Sequence, residues 1–474
     1  MPSKRRNGSM IPVLQSRWKL EGRTLTYYGL RAAPNTFRRT VRLNNRTAAA
    51  VASLDGARAL ADYRAPGLSR LGRLGIVVDV SERRTAPRGL EDARYCKNCA
   101  ANDYAIPGLE LDRDGLCPMC ATREKFRDRK NVLPTRARIP PAPGSRYDAA
   151  VFYTGGKDSS WLLYHLAREQ KLRVLALTWE TPFMSAWARE SIEHAKIALP
   201  EVDFLMERAP EEDLKQIYRK SYGLQKNVCI CPSVADVLFF ARLVEWGVPY
   251  LVLGNEPAQC KNLIYNGMAP AFYFKPWVQK AARLGYNLGR VLTLRRPFRP
   301  GGMELYQTVR QLAFGRSPVT KLFRYKNELV ENTCASLAQA PEFLAPFQAA
   351  VRRAGRTGRL PSLVHIDFDD AGGGVYRWDE VKELLARETG WVDAPETGKG
   401  LHTSCAIERC KEWSQFMRFR ELETAMIPFS AIEMAIASAA GSVDREAAIA
   451  ELKAHSGFTE AMPEEHKLMT NALD

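Results

Sequence analysis

The stretch that most constrains this 474-residue chain is residues 149–170. Ala149-Ala150-Val151-Phe152-Tyr153 is short, apolar and β-prone, and it runs straight into Thr154-Gly155-Gly156-Lys157-Asp158-Ser159-Ser160 and then a helical pattern over 159–170. Such a strand, continuous in apolar residues and followed by a helix, belongs to a parallel sheet covered on both faces. The glycines let the backbone come close to a ligand, and the free amides and dipole of the helix N-terminus converge on one anion site. Lys157 adds charge, Ser159 and Ser160 add hydroxyls, and Asp158 offers a carboxylate for the Mg²⁺ that accompanies a pyrophosphate group. A Walker loop requires glycine where Val151 stands and a hydroxyl residue where Asp158 stands, so this is not a Walker-type nucleotide site.

Further β-rich and helical runs alternate at 173–179 and 186–199, and in the reverse order at 234–246 and 250–253. The pattern predicts an α/β fold with helices on both faces of a parallel sheet. The predicted organisation is a basic N-terminal domain over 1–90, a cysteine module over 91–131, the sheet-bearing domain over 147–375 and a mainly helical region over 376–474. Residues 81–90, and 132–146 with Pro134, Pro140, Pro141 and Pro143, read as linkers. Within the first segment, strands are predicted at 24–28, 41–43 and 75–80, and helices at 48–54, 57–63 and 68–74, a winged-helix-like α+β order.

Cys96-Lys97-Asn98-Cys99 and Cys117-Pro118-Met119-Cys120 give C-x2-C-x17-C-x2-C. Two residues between ligands let one tight turn aim both thiolates at one ion, and two such turns complete a tetrahedron. With four protein thiolates and no open position, the expected ion is structural Zn²⁺; an iron–sulfur cluster takes the same four ligands and is the alternative. Ten cysteines, with no apolar core behind the basic start of the chain, fit a cytoplasmic protein that uses thiols for metal or chemistry rather than for disulfides.

The net charge of +16 is uneven, since residues 1–95 hold 19 Lys/Arg against 7 Asp/Glu. That segment can attract nucleic acid or an anionic peptide, or serve as a solvated face. The weakly polar stretch at 425–441 is interrupted by Pro428, Ser430 and Glu433, so no membrane span is expected.

Residues 154–160 closely resemble the S-G-G-x-D-S signature of the PP-loop ATP pyrophosphatases, with threonine for the first serine. The cysteine cassette, Val228-Cys229-Ile230-Cys231-Pro232, Leu253-Gly254-Asn255-Glu256-Pro257, Gly390-Trp391 and His402-Thr403-Ser404-Cys405 together resemble the N-acetyl sugar amidotransferase family, over residues 95–458. Cys229 and Cys231 stand as C-x-C where that family tends to have C-x-x-C. The resemblance implies that ATP adenylates a carbonyl or carboxylate oxygen of a small acceptor, pyrophosphate leaves and ammonia displaces AMP. Thr154, Gly155, Gly156, Lys157, Asp158, Ser159 and Ser160 would bind ATP, Lys157 and Asp158 acting in catalysis. The second strand would end beside the adenine, with Leu177, Thr178 and Trp179 as backbone contacts, and Gly254 would sit at the same carboxyl edge. Glu256 beside it would orient substrate or Mg²⁺, or be a solvated turn acid.

No glutaminase nucleophile is visible, so ammonia would come from a partner subunit or free ammonium. The alternative is thiolation of tRNA or a small molecule, with Cys229 and Cys231 as the reactive thiols. Leu43-Asn44-Asn45-Arg46-Thr47, Leu54-Asp55-Gly56 and Leu74-Gly75-Ile76-Val77 resemble the winged-helix peptide-recognition elements of the pyrroloquinoline quinone biosynthesis D-like domains. That resemblance implies a third reading, an enzyme that binds a leader peptide and modifies it.

Overall fold

The structure, a computed structural model, describes residues 10–32, 39–123, 133–226, 230–267, 271–317, 327–394 and 405–471. Its chain falls into two compact units, residues 1–125 with 415–435, and residues 126–414 with 436–474.

In the first unit, β1 (Pro12–Leu14) pairs antiparallel with β5 (Val77–Asp79). A separate antiparallel sheet has the order β2 (Trp18–Glu21), β3 (Thr24–Tyr27), β4 (Thr40–Arg42). Asn44 caps the helix Asn45–Ala52 by accepting from the amide of Thr47, the role for which short polar side chains are favoured. Pro66 opens the helix Pro66–Arg73, where a missing N–H costs nothing. Trp18, Leu25, Tyr27, Leu68, Leu71 and Ile76 fill the core. The helix predicted over 57–63 is only a 3-10 turn, Leu60–Asp62, because Asp55 takes the amides of Ala57 and Arg58 and folds the chain back locally. Late residues complete this unit: the Arg17 guanidinium donates to the carbonyls of Phe419 and Arg420 at 2.6 and 2.8 Å, and that of Arg39 to the carbonyl of Ala425.

The second unit is built on five parallel strands, β6 (Ala149–Phe152), β7 (Val174–Trp179), β8 (Asp203–Glu207), β9 (Tyr250–Asn255) and β10 (Ser362–Asp367). Their order is β10-β9-β6-β7-β8. The chain therefore steps outward from β6 to β8, then returns to the other side of β6 and steps outward again. Alternate strand residues enter opposite cores: Val174 and Ala176 pack with Trp161, Leu162 and Ile192, whereas Leu175, Leu177 and Trp179 pack with Phe239, Phe240 and Val309. The α/β expectation is thus met, and β8 and β10 join the strands read from the sequence. The order reverses between β6 and β9, and in open α/β sheets ligands bind outside the carboxyl ends of the strands at such a reversal.

Candidate functional site

The loop after β6 lies at that reversal. Gly155 has φ +74°, and a Cβ there would stand 2.4 Å from the carbonyl oxygen of Ala188, so no side chain fits. Gly156 is the N-cap of the helix Lys157–Tyr164. Ser159 Oγ donates to the Gly156 carbonyl at 3.0 Å and accepts from the Thr154 amide at 3.2 Å, with Thr154 Oγ1 3.1 Å away. These two hydroxyls brace the loop from within, while Ser160 is buried under it. The amides of Gly155, Lys157 and Ser159 have no hydrogen-bond partner among the described residues, as a helix N-terminus prepared for an anion requires. From far along the chain, the Trp391 indole donates to the Gly155 carbonyl at 3.0 Å and fixes the turn.

Asp158 is held on both oxygens. Oδ1 accepts from Lys157 Nζ at 2.6 Å and from the Tyr376 hydroxyl at 2.9 Å, and Oδ2 from Gln259 Nε2 at 2.9 Å. Asn255, the last residue of β9, donates to Gln259 Oε1. Next to it Glu256 is buried and accepts from the Trp378 indole at 2.6 Å, which is not the setting of a solvated turn acid. Lys157 Nζ also stands 4.5 Å from the Tyr376 ring centroid and 5.0 Å from that of Trp378, a cation–π arrangement that presets its position. Burial, then Asp158 and Glu256, push the Tyr376 phenol well above its ordinary range, so it remains a donor. One lysine, two carboxylates and a row of amides meet here, a donor set suited to a phosphate chain and a hard cation.

Thr178, at the end of β7, is fully buried and donates its hydroxyl to the Tyr153 carbonyl at 2.8 Å; it ties β7 to the loop strand. Gly254 leaves room for Phe368, whose ring a Cβ would meet at 2.4 Å. Tyr376, Trp378 and Gln259 were not singled out in the sequence; the aromatic pair directly after Gly372-Gly373-Gly374 is the nearest thing to a signal.

Asp236 was also missed. The helix Cys231–Glu245 runs antiparallel to β6: Trp246, at its end, lies 6.2 Å from Tyr147, and Phe239 lies 6.4 Å from Phe152. Asp236 is one turn nearer the helix start than Phe239, toward the carboxyl end of β6 and on the face of the sheet opposite the helix Lys157–Tyr164. Its carboxylate has no hydrogen bond or ion pair among the described residues, and burial alone pushes it up to about 7. Past the ends of β7 and β8 a cavity of about 470 Å³ is lined by Glu180, Arg189, Arg208, Lys215 and Tyr218. Arg208 and then Arg189 hold the Glu180 carboxyl low, at about 2.

In the first unit the Sγ atoms of Cys96, Cys99, Cys117 and Cys120 all lie within 4.8 Å of one another, and Cys99 and Cys117 are 3.6 Å apart. Tetrahedral Zn–S bonds of about 2.3 Å put sulfurs about 3.8 Å apart, so this cluster could hold a metal such as zinc. The amides of Asn98 and Ala101 reach Cys96 and Cys99 sulfur at 3.4 Å, the outer hydrogen bonds that stabilise bound thiolates. Cys229, His402, Thr403 and Ser404 lie outside the described residues. Cys231 is the first residue of its helix, and Cys405 pairs its backbone with Met184 just beyond β7. Burial pushes the Cys410 thiol up to about 12 and that of Cys334 up to about 11, the behaviour of inert core cysteines. Among the described residues, no helix is long and apolar enough to cross a membrane. Comparison with protein-family models and with curated proteins gave no match.

Proposed function

We propose that the sheet-bearing unit is a PP-loop ATP pyrophosphatase acting as an AMP-forming amidotransferase or ligase. The observation that carries this reading is the loop of residues 154–160 at the strand-order reversal, with unpartnered amides beside Lys157 and Asp158. Adenylation turns a poor leaving group into AMP, so the protein's task is to neutralise the departing pyrophosphate and to position the attacking oxygen. The amides of Gly155, Lys157 and Ser159 and the Lys157 ammonium bind the phosphates. Asp158, with Glu256 as the second carboxylate, would hold Mg²⁺, which supplies charge neutralisation when bound. The cavity beside Arg189 and Arg208 suits an acceptor bearing a carboxylate or several hydroxyls.

Product analysis with α-labelled ATP tests the reading: AMP and pyrophosphate are expected in the presence of acceptor, and ADP would overturn it. A sulfur-transfer reading draws support from Cys231 at a helix start, where thiolates are favoured. Under nitrogen transfer, Cys229→Ser and Cys231→Ser leave turnover within a few-fold, whereas sulfur transfer stops while adenylation continues.

A further inference from the structure

The helix Pro276–Leu292 turns its hydrophobic side away from the protein. Trp277, Leu284, Leu288, Val291 and Leu292 are 67, 74, 58, 53 and 76% exposed, and Leu294 just beyond is 98% exposed. At 100° per residue these helical positions fall on one face, a strip about 22 Å long from Trp277 to Leu292. The opposite, polar face is the one that packs. Gln279 donates to the Tyr273 carbonyl at 3.0 Å, Arg283 pairs with Glu304, and the Asn287 side chain both donates to and accepts from the Phe298 backbone at 2.9 Å. Arg290 lies over the Phe298 ring, 3.7 Å from its centroid, and donates to the Gly355 carbonyl at 3.0 Å. These bonds fix the helix in an orientation that an ordinary amphipathic helix would reverse.

Along the chain, the charge that accompanies the strip is of one sign. Residues 275–303 contain Lys275, Lys280, Arg283, Arg290, Arg295, Arg296 and Arg299 and no Asp or Glu. Lys280, Arg295, Arg296 and Arg299 are exposed. An apolar strip bearing tryptophan and leucine, flanked along the chain by cations, is the pattern of a helix that lies in the plane of an anionic bilayer surface. A second copy fits poorly, because pairing two such faces brings like charges together.

We infer that this helix is a membrane-surface anchor, inserting Trp277, Leu284, Leu288, Val291 and Leu292 between the headgroups of an anionic leaflet while Lys280, Arg295, Arg296 and Arg299 face the lipid phosphates. The helix lies along the bilayer surface rather than across it. The inference is independent of the chemistry assigned to the sheet edge.

The test is co-sedimentation of the full chain with vesicles of phosphatidylcholine alone and of phosphatidylcholine with phosphatidylglycerol. Wild type is expected to sediment with the anionic vesicles, weakly with the neutral ones, and less as salt rises. Leu284→Glu and Leu288→Glu each lower partitioning about tenfold. Both positions are solvent-facing, so circular dichroism and thermal melting should match wild type, which separates lost binding from lost folding. Arg295→Glu with Arg296→Glu reduces binding to anionic vesicles and leaves the neutral-vesicle signal unchanged. Binding that survives both leucine substitutions would assign the effect to the basic N-terminal segment and overturn the inference. So would the absence of vesicle binding together with self-association, in analytical ultracentrifugation, that Leu284→Glu abolishes.

Discussion

Asp236→Asn isolates the energetic cost of one carboxylate. Burial raises the Asp236 pKa from 3.8 to about 7 with no compensating cation among the described residues. About three pH units at about 1.4 kcal/mol each set a ceiling of about 4 kcal/mol on the cost of ionising it in the folded chain. The side chain keeps partial contact with water, so the realised cost lies below that ceiling. For an acid whose folded pKa is raised, the native state retains a proton that the unfolded chain has released. Stability is therefore complete below the unfolded pKa, declines as pH rises, and stops declining above the folded pKa near 7. Asparagine has the same shape and no charge to lose, and every other titrating group is common to both proteins. Urea unfolding at several values from pH 5 to 9 should show the variant gaining about 1 to 2 kcal/mol on wild type between pH 5 and 8, then holding a constant difference. A stability difference that does not change with pH would refute the buried, uncompensated carboxylate.

Purified protein should carry one zinc per chain by elemental analysis, and Cys99→Ser or Cys117→Ser should lose it; iron with acid-labile sulfide would assign a cluster instead. Asp158→Ala should abolish AMP formation from ATP, and Ser160→Ala should cost less, as read by product chromatography. Trp391→Phe keeps the ring and removes the N–H held by Gly155, so stability should fall by about 1 kcal/mol and the KM for ATP rise, with wild-type values of both as the contrary result.

The strand, loop and helix around Gly155 were legible because every local preference there agrees: apolar run, glycines, then a helix start rich in polar donors. The cysteine cassette was legible because tight turns fix which thiols can meet. β8 was not read, since Asp203 and Glu207 bracket only three apolar residues at a sheet edge. β10 follows a long helical insertion, and its place beside β9 is set by register between Ser362–Asp367 and Tyr250–Asn255, which no local pattern encodes. Tyr376, Trp378 and Trp391 reach the loop from more than two hundred residues away, so their roles exist only in the folded chain. The helix Pro276–Leu292 is the plainest limit. Periodicity marks its apolar face but does not say which side is solvent, and here Arg283, Asn287 and Arg290 reverse the usual answer.

The return of residues 415–435 to the first unit bears on how the protein is made. A ribosome releases the N-terminal strands and the cysteine module early, yet Arg17 and Arg39 receive their carbonyl partners only when Phe419, Arg420 and Ala425 emerge. The unit translated first is thus among the last to be finished, and it waits through synthesis of the whole parallel sheet. During that interval the Tyr104 ring, later packed by Phe416, is open to chaperones and proteases. A chain that stops before residue 415 leaves neither unit whole, because the second draws on residues 436–474 as well.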